Sequence, residues 1–178
     1  RKLPSFYTPH GYSFLMQDGG KLKRSLFRML EWISAKCKCK TIACSEGEYK
    51  EAVKLSKNSD YVNNGINLDI LKDYVRDWDS SKRIKVCTSG RILDQKNPKL
   101  FNKIATLLPD VEFVWIGEGE LKTELTSDNI KATGWVDRQK ALEIIRDSDV
   151  FILPSFYEGL PISLLEAMAL KKLCIVSN

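Results

Sequence analysis

The sequence lacks the segments that would place it across a membrane or direct it out of the cell. No apolar run approaches the roughly 20 residues that a membrane-spanning helix needs. The first residues also lack the basic segment followed by an apolar segment that marks a secretory signal peptide. We therefore expect a cytoplasmic protein.

Cysteine and histidine are too few, and too poorly spaced, for two further classes of protein. Five cysteines in a chain of 178 residues, an odd number, do not predict a disulfide framework. Cys87 and Cys174 lie in apolar runs that are typical of buried thiols. The single histidine is far from Cys37 and Cys39, so this C-x-C pair does not predict a zinc site.

What the sequence does have is apolar material for a core and an uneven distribution of charge. With 43% hydrophobic and 29% charged residues, the chain suits a globular protein of one domain or one and a half. Residues 1–40 hold nine lysines and arginines against two acidic residues, a net charge of +7, which leaves −2 for the remainder because the chain carries +5. Such a basic block indicates a nucleic acid, an anionic membrane or an anionic substrate as partner, or simply the solvated face of a helix.

From residue 84 onwards, short apolar runs alternate with segments of helical periodicity. The predicted strands are 84–90, 111–117, 129–134, 149–155 and 172–178. The predicted helices are 97–108, 119–126, 138–147 and 161–172. Short buried strands that alternate with helices form a parallel sheet with helices on both faces. The sequence therefore predicts an α/β, doubly wound fold.

The first 66 residues carry a different pattern. Segment 21–36 predicts a basic amphipathic helix, and a second helix is predicted from Glu46. The apolar side of the basic helix carries Leu22, Leu26, Leu30 and Ile33. This side either packs inward or, with the neighbouring lysines and arginines, lies on an anionic membrane. We place a domain boundary after residue 66 and interpret 71–83 as a linker or a surface helix.

Residues that follow the predicted strands carry anion-binding chemistry, and the carboxyl ends of parallel strands are where α/β sheets bind ligands. Arg91 and Lys96, five residues apart in one turn, can converge on an anion. Gly117 and Gly119 permit a tight turn and a close approach of the backbone. A helix N-terminus, which favours an anion, is predicted at the amides of Gly159, Leu160, Ile162 and Ser163. Each feature alone is more often structural, but together they predict a diphosphate site.

Glu166 occupies an unusual position in "YEGLPISLLEAMA", residues 157–169. Pro161 predicts the start of a helix, because its missing N–H would be unpaired there anyway. The helical period then leaves Glu166 in or beside an apolar core. A buried carboxylate requires hydrogen-bond donors, so Glu166 either reaches a polar rim or has a partner.

Four motifs in the second half together resemble one family of enzymes. They are "SGRILDQKN", "WIGEGE", "ATGWVDR" and "DVFILPSFYEGLPISLLEAMA". They resemble the nucleotide-binding half of retaining glycosyltransferases of family four, which have the two-domain GT-B architecture, and Glu158 and Glu166 match the family's two glutamates eight residues apart. Upstream, "YTPHG" and "IACSE" resemble its acceptor-side domain and "VNNGIN" its interdomain segment. The resemblance implies that 1–66 are the C-terminal part of an incomplete acceptor-side domain and 67–178 a nucleotide-sugar-binding domain, truncated at its C-terminus.

The resemblance also implies a role for each matching residue. Glu166 would bind the ribose hydroxyls, Glu158 the sugar, and Arg91 with Lys96 the diphosphate, without a metal or other cofactor. Trp135 and Val136 match the segment that recognises the base, and His10 matches a histidine that contacts the donor sugar; a lone histidine is as often structural. Further donor-binding residues would be Gly90, Gly117, Gly119, Gly159, Leu160 and Ile162.

The resemblance thus implies a metal-independent hexosyltransferase that uses a nucleotide sugar. Its acceptor would be a glycan or a lipid-linked molecule of surface polysaccharide biosynthesis, with a peripheral contact to the inner face of the membrane and no nucleic acid as partner. Two alternatives remain open. One is another enzyme of the same fold, such as a sugar-nucleotide epimerase, and the other is a non-catalytic nucleotide-binding or oligomerisation module.

Overall fold

The computed structural model describes residues 3–15, 20–36, 39–75 and 83–177. Its contacts divide the chain into two compact units. The first consists of Arg1–Gly65 with Tyr157–Pro161, and the second of Ile66–Phe156 with Ile162–Asn178. Cys37 and most of the segment interpreted as a linker, 76–82, lie outside the described residues. None of the helices in the described ranges is long and apolar enough to cross a membrane.

The first unit is a small parallel sheet with helices. Its elements are β1 (Ser5–Tyr7), a 3-10 turn (Ser13–Leu15), α1 (Gly20–Ala35), β2 (Cys39–Ala43), α2 (Glu46–Leu55) and β3 (Ser59–Tyr61). Strand β2 lies in the middle and pairs in parallel with both β1 and β3. Ser45 caps α2, because its side chain accepts a hydrogen bond from the Glu48 amide. Both helices predicted in this half of the sequence are therefore present.

Helix α1 turns its apolar stripe to the outside. The predicted stripe includes Leu22, Leu26 and Ile33, which are 87, 50 and 50% exposed. The inward side carries Phe27, which packs against the cluster of Tyr12, Phe14 and Ala52. Glu31, also on this side, accepts a hydrogen bond of 3.1 Å from the Tyr7 hydroxyl. Among the described residues, these three side chains therefore have no inward packing.

The second unit contains the alternating elements that the sequence predicts. They are α3 (Leu68–Leu71), β4 (Lys85–Ser89), α4 (Pro98–Leu107), β5 (Glu112–Ile116), β6 (Ile130–Ala132), α5 (Arg138–Arg146), β7 (Val150–Leu153), α6 (Ile162–Ala169) and β8 (Leu173–Val176). Short 3-10 turns lie at Lys72–Tyr74, Asp94–Lys96 and Glu120–Glu124. All five predicted strands are confirmed. Three of the four helices are also confirmed, whereas the segment predicted as a helix at 119–126 forms only a 3-10 turn.

The five strands form one parallel sheet in the order β6-β5-β4-β7-β8. Successive residues of a strand point to opposite faces, and each face is buried under helices. On β4, Val86 belongs to the core that includes Phe101 of α4, whereas Cys87 belongs to the core that includes Ile145 of α5. The doubly wound α/β fold is therefore confirmed.

The cysteines differ in burial. Cys87 is fully buried, and burial raises the pKa of its thiol to about 12. Cys174 is only half-buried, because β8 is the edge strand of the sheet and its neighbours Leu173 and Ile175 are exposed. The prediction of two buried thiols is thus correct for the first cysteine and only partly so for the second.

Candidate functional site

A pocket of about 430 Å³ lies in the second unit, at the carboxyl ends of β4 and β5. This is the position at which parallel α/β sheets bind ligands. It is lined by Ser89, Gly90, Arg91, Ile116, Gly117, Glu118, Gly119, Trp135, Val136 and Ala141. Six of the residues that the sequence assigns to donor binding therefore line one pocket, although they come from three separate loops.

The floor of the pocket is made of interlocked backbone. A Cβ atom on Gly117 would lie 2.2 Å from the carbonyl oxygen of Gly90, and one on Gly119 would lie 2.4 Å from that of Ile92. The Gly117 φ of 140° is a second reason why only glycine fits there. The Trp115 indole donates a hydrogen bond of 2.9 Å to the same Gly90 carbonyl. These contacts leave no space for a side chain at either glycine.

The two predicted cations lie at one edge of this pocket. Arg91 is an exposed residue of its wall. Lys96 ends the 3-10 turn that follows, and its side chain crosses the backbone of Gly90, with its Nζ 3.5 Å from where a Cβ on Gly90 would be. The chain turns at Gly90, which has a φ of 143°, and this turn lies beside the Lys96 side chain. Arg91 and Lys96 are therefore both next to Gly90, where they provide positive charge.

Glu166 is buried, as its apolar neighbours predict, and it has a partner. Its side chain lies on α6 and the residue is 7% exposed. Arg138, the first residue of α5, places both Nε and Nη2 at 2.9 Å from Glu166 Oε1. The arginine side chain is 55% exposed, so the pair joins a buried carboxylate to a solvated cation. Arg138 therefore supplies the hydrogen-bond donor that a buried Glu166 requires.

The other predicted site residues belong to the first unit. His10 is exposed and has a left-handed φ of 50°, which is uncommon for a residue other than glycine. Glu158, Gly159 and Leu160 are half-buried in the returning segment Tyr157–Pro161. The carbonyl of Leu160 accepts a hydrogen bond of 2.7 Å from the Asn64 side chain. Ile162 begins α6 in the second unit, one residue after the start that Pro161 predicts.

Cys44 and Glu48 form a buried polar cluster in the first unit. Glu48 accepts hydrogen bonds from the Gly11 amide at 2.5 Å and from the Cys44 amide at 2.7 Å. Burial, followed by the hydrogen bond to Glu48, raises the pKa of the Cys44 thiol to about 11, so this thiol stays protonated at neutral pH. Gly159 lies against it, because a Cβ there would be 2.7 Å from Cys44 Sγ.

Sequence reasoning missed two of these residues. Arg138 ends the quoted motif "ATGWVDR", but nothing in its spacing pairs it with a glutamate 28 residues later. Glu48 lies three residues after Ser45, a spacing that indicates a capping box and not a contact with Gly11. In both cases, the contact depends on which elements are neighbours in the fold.

Comparison with known proteins supports the resemblance found in the motifs. Residues 72–178 match the family described as glycosyl transferases group 1. The chain is 32% identical to UDP-Gal:alpha-D-GlcNAc-diphosphoundecaprenol alpha-1,3-galactosyltransferase of Escherichia coli, over 97% of this chain and 51% of that protein. The chain spans about half the length of the curated relatives it matches over most of its residues.

Solved structures have the same fold. Sucrose-phosphate synthase from Thermosynechococcus elongatus has a TM-score of 0.77 at 16% identity, over 96% of this chain and 49% of that one. HepE of Anabaena, in complex with UDP and glucose, has a TM-score of 0.75 at 16% identity, over 97% of this chain and 52% of that one. The GT-B fold expected from the motifs is thus confirmed, over about half of that architecture. The family match over residues 72–178 covers more than half of the chain, and the five-stranded parallel sheet and the glycine-floored pocket agree with it. The chain therefore belongs to the glycosyl transferases group 1 family.

Proposed function

We propose that this protein is a retaining glycosyltransferase. It transfers a hexose or a similar sugar from a nucleotide sugar to a glycan or lipid-linked acceptor in surface polysaccharide biosynthesis. The observation that carries the proposal is the pocket at the carboxyl ends of β4 and β5, which is lined by Arg91, Gly90 and Gly117. A cation beside glycines, whose missing side chains let a ligand approach closely, is suited to the diphosphate of a nucleotide sugar.

The names of the relatives support the classes of donor and acceptor. The Escherichia coli relative is named for UDP-Gal as donor and for a sugar carried on diphosphoundecaprenol as acceptor. HepE was solved with UDP and glucose. For this chain we therefore propose a nucleoside diphosphate sugar as donor and a polyprenyl diphosphate sugar as the leading acceptor class.

Arg91 and Lys96 would stabilise the departing diphosphate. In the reaction, an acceptor hydroxyl forms a new bond to the anomeric carbon and passes its proton through the departing diphosphate to solvent, while the bond between this carbon and the diphosphate oxygen breaks. Negative charge then accumulates on the nucleoside diphosphate. Two fixed cations beside Gly90 stabilise this charge more strongly than they stabilise the intact donor. We propose that this makes a divalent metal unnecessary, which predicts unchanged turnover when EDTA is added.

The second unit would also hold the nucleoside. Trp135 is 80% exposed at the pocket wall, so its indole and the backbone of Val136 can contact a base. Glu166 accepts the hydrogen bond from Arg138 at Oε1. Among the described residues, no hydrogen bond to its other carboxylate oxygen is seen. Its second oxygen, Oε2, would accept the ribose hydroxyls. Residues 67–178 would thus form the nucleotide-sugar-binding domain.

The sugar contacts are proposed for residues of the first unit. Glu158 would accept hydrogen bonds from the sugar hydroxyls, and His10 would contact the donor sugar. The amides of Gly159 and Leu160 would bind an anionic group of the donor. Residues 1–66 would form part of the acceptor-side domain.

Helix α1 would hold the protein at the cytoplasmic face of a membrane. Its exposed stripe of Leu22, Leu26, Leu30 and Ile33 is flanked by Lys21, Lys23, Arg28 and Lys36. Apolar side chains bordered by cations favour the interface of an anionic bilayer. A lipid-linked acceptor resides in the same place, so a peripheral contact of this kind would bring enzyme and acceptor together.

A nucleotide panel followed by a transfer assay tests the proposal. Thermal unfolding of the full-length protein is measured with UDP, GDP and ADP, with and without an attached sugar. A ligand at 100 times its Kd should add about 2.7 kcal/mol to the free energy of unfolding. Mass spectrometry then follows the sugar from the stabilising donor to a polyprenyl diphosphate acceptor. Inversion of the sugar without transfer would indicate an epimerase instead, and binding without turnover would indicate a non-catalytic module.

A further inference from the structure

Glu48 is a buried carboxylate that the roles proposed above do not use. It lies in the first turn of α2 and is 5% exposed. Among the described residues, no lysine or arginine forms an ion pair with it. Burial of a charge is unfavourable unless hydrogen bonds compensate it. The groups that donate hydrogen bonds to Glu48 therefore indicate its structural role.

Glu48 does not act as an ordinary helix cap. Its spacing from Ser45 fits a capping box, in which the glutamate would accept the amide of Ser45 itself. Instead, Oε2 accepts the Cys44 amide at 2.7 Å and Oε1 accepts the Gly11 amide at 2.5 Å. The second bond joins residues 37 positions apart and connects α2 to the turn that contains His10.

The turn held by Glu48 has a backbone conformation that needs support. His10 and Gly11 have φ values of 50° and 102°, two left-handed residues in succession. A left-handed histidine is disfavoured by contacts of its own Cβ and persists only where its surroundings hold it. The short bond from Gly11 to Glu48 is the contact that holds this turn from outside.

The same carboxylate lies beneath the segment that contains Glu158. A Cβ on Gly159 would lie 3.6 Å from Glu48 Oε1 and 3.7 Å from the Gly11 amide nitrogen. Gly159 and the His10 turn therefore rest on a single buried group, within one unit of the chain. Both segments carry residues to which sugar contacts are proposed.

We propose that Glu48 is a positioning residue for the sugar contacts. By accepting the Gly11 amide, it fixes His10 in its left-handed conformation, and it supports Gly159 at the same point. The inference rests on the proposed function for its effect on catalysis. Its effect on the backbone of the turn is independent of that function.

Glu48→Gln in the full-length protein tests the proposal. Glutamine has the same shape, but its amide group can only donate, so one of the two amides that Glu48 accepts would face a donor. We expect kcat/KM for transfer to fall by about tenfold or more, since a displacement of about 1 Å in a reacting group costs up to about 10²-fold. The Kd for the bare nucleoside diphosphate should stay unchanged, which a general loss of structure would not allow. Glu46→Gln, in an exposed pair with Lys50 on the same helix, is the matched control and should behave as wild type.

A double-mutant cycle identifies the residue through which Glu48 acts. If it acts through His10, Glu48→Gln should lower kcat/KM by no more than about twofold when His10→Ala is already present. If the reductions of kcat/KM by the two substitutions multiply in the double variant, Glu48 does not act through His10. Should Glu48→Gln not fold, Glu48→Asp serves instead, because its shorter side chain keeps the charge but cannot reach both amides.

Hydrogen exchange separates this inference from the proposed function. The Gly11 amide should exchange at least about tenfold faster in Glu48→Ala than in wild type, because this variant removes both acceptor oxygens. Unchanged exchange would overturn the positioning role, whatever the protein catalyses. Faster exchange in a protein that transfers no sugar would support the positioning role and contradict the proposed function alone.

Discussion

Arg138 donates a hydrogen bond of 2.9 Å from Nε to Glu166 Oε1, and its Nη2 lies 2.9 Å from the same oxygen in an ion pair. The pair joins the first turn of α5 to α6. It supplies a buried glutamate with a cation that remains in contact with solvent. Stability and nucleotide binding should therefore both depend on this pair.

Loss of the arginine should destabilise the second unit. Arg138→Ala leaves Glu166 buried without its cation, and we expect the free energy of unfolding to fall by about 1–2 kcal/mol, less than for a fully buried pair because Arg138 is half exposed. Denaturant unfolding measures the change. The control is Lys140→Ala, which removes an exposed pair with Glu143 on the same helix and should cost under about 0.5 kcal/mol. Equal losses in the two variants would contradict the importance of the Arg138 pair.

The two glutamates of "YEGLPISLLEAMA" should differ in nucleotide binding. Glu166→Ala should weaken the affinity for a bare nucleoside diphosphate by about tenfold, because it removes a charged acceptor from the ribose. Glu158→Ala should change it by less than about twofold, because its proposed partner is the sugar, which this ligand lacks. Calorimetry on the full-length protein measures both affinities. A larger loss for Glu158→Ala would mean that the assigned roles are reversed.

The cations beside Gly90 should act mainly on the transition state. Arg91→Ala and Lys96→Ala in the full-length protein should each lower kcat by about 10²-fold and raise KM far less, because charge accumulates on the diphosphate only as the sugar departs. Steady-state kinetics measure both constants. Lys99→Ala, which changes a lysine 71% exposed on α4, is the control and should leave kcat unaltered. Unchanged kcat in both test variants would show that the diphosphate lies elsewhere.

Helix α1 should bind anionic vesicles in a salt-dependent manner. We expect the full-length protein to sediment with vesicles of anionic phospholipid at low salt and to be released near 1 M salt, where the Debye length falls to about 3 Å. Leu22→Ser with Leu26→Ser should abolish binding, because both leucines belong to the exposed stripe. Val53→Ser, at a partly exposed valine on α2, serves as control. No sedimentation of the wild type at low salt would mean that other parts of the protein cover this stripe.

Much of the second unit could be predicted from sequence because its signals are local. Five strands and three helices follow from period and apolar content, and the end of the strands at which the pocket lies follows from the parallel arrangement. The segment at 119–126 was the exception. Its backbone is held by Ile92, whose carbonyl accepts the Leu121 amide, and this contact with a distant loop produces a 3-10 turn instead of a helix.

The site was less predictable because its contacts are between distant residues. Periodicity shows that Glu166 is buried, but it cannot show that Arg138 is its neighbour. The amphipathic pattern of α1 identifies the apolar stripe, but periodicity does not determine whether that stripe lies inside or outside. The link from Glu48 to Gly11 has no sequence signal at all, because the same residues would satisfy a local cap.

The glycine floor of the pocket limits how its specificity can be changed. A Cβ atom on Gly117 or Gly119 would clash with backbone atoms, and Gly90 has a φ of 143°, so a side chain at any of the three positions is unfavourable. Trp135 is different, because it is 80% exposed and forms part of the wall. Engineering of a new donor preference should therefore begin at residue 135, where a library of substitutions can alter the shape of the pocket without disturbing the backbone beneath it.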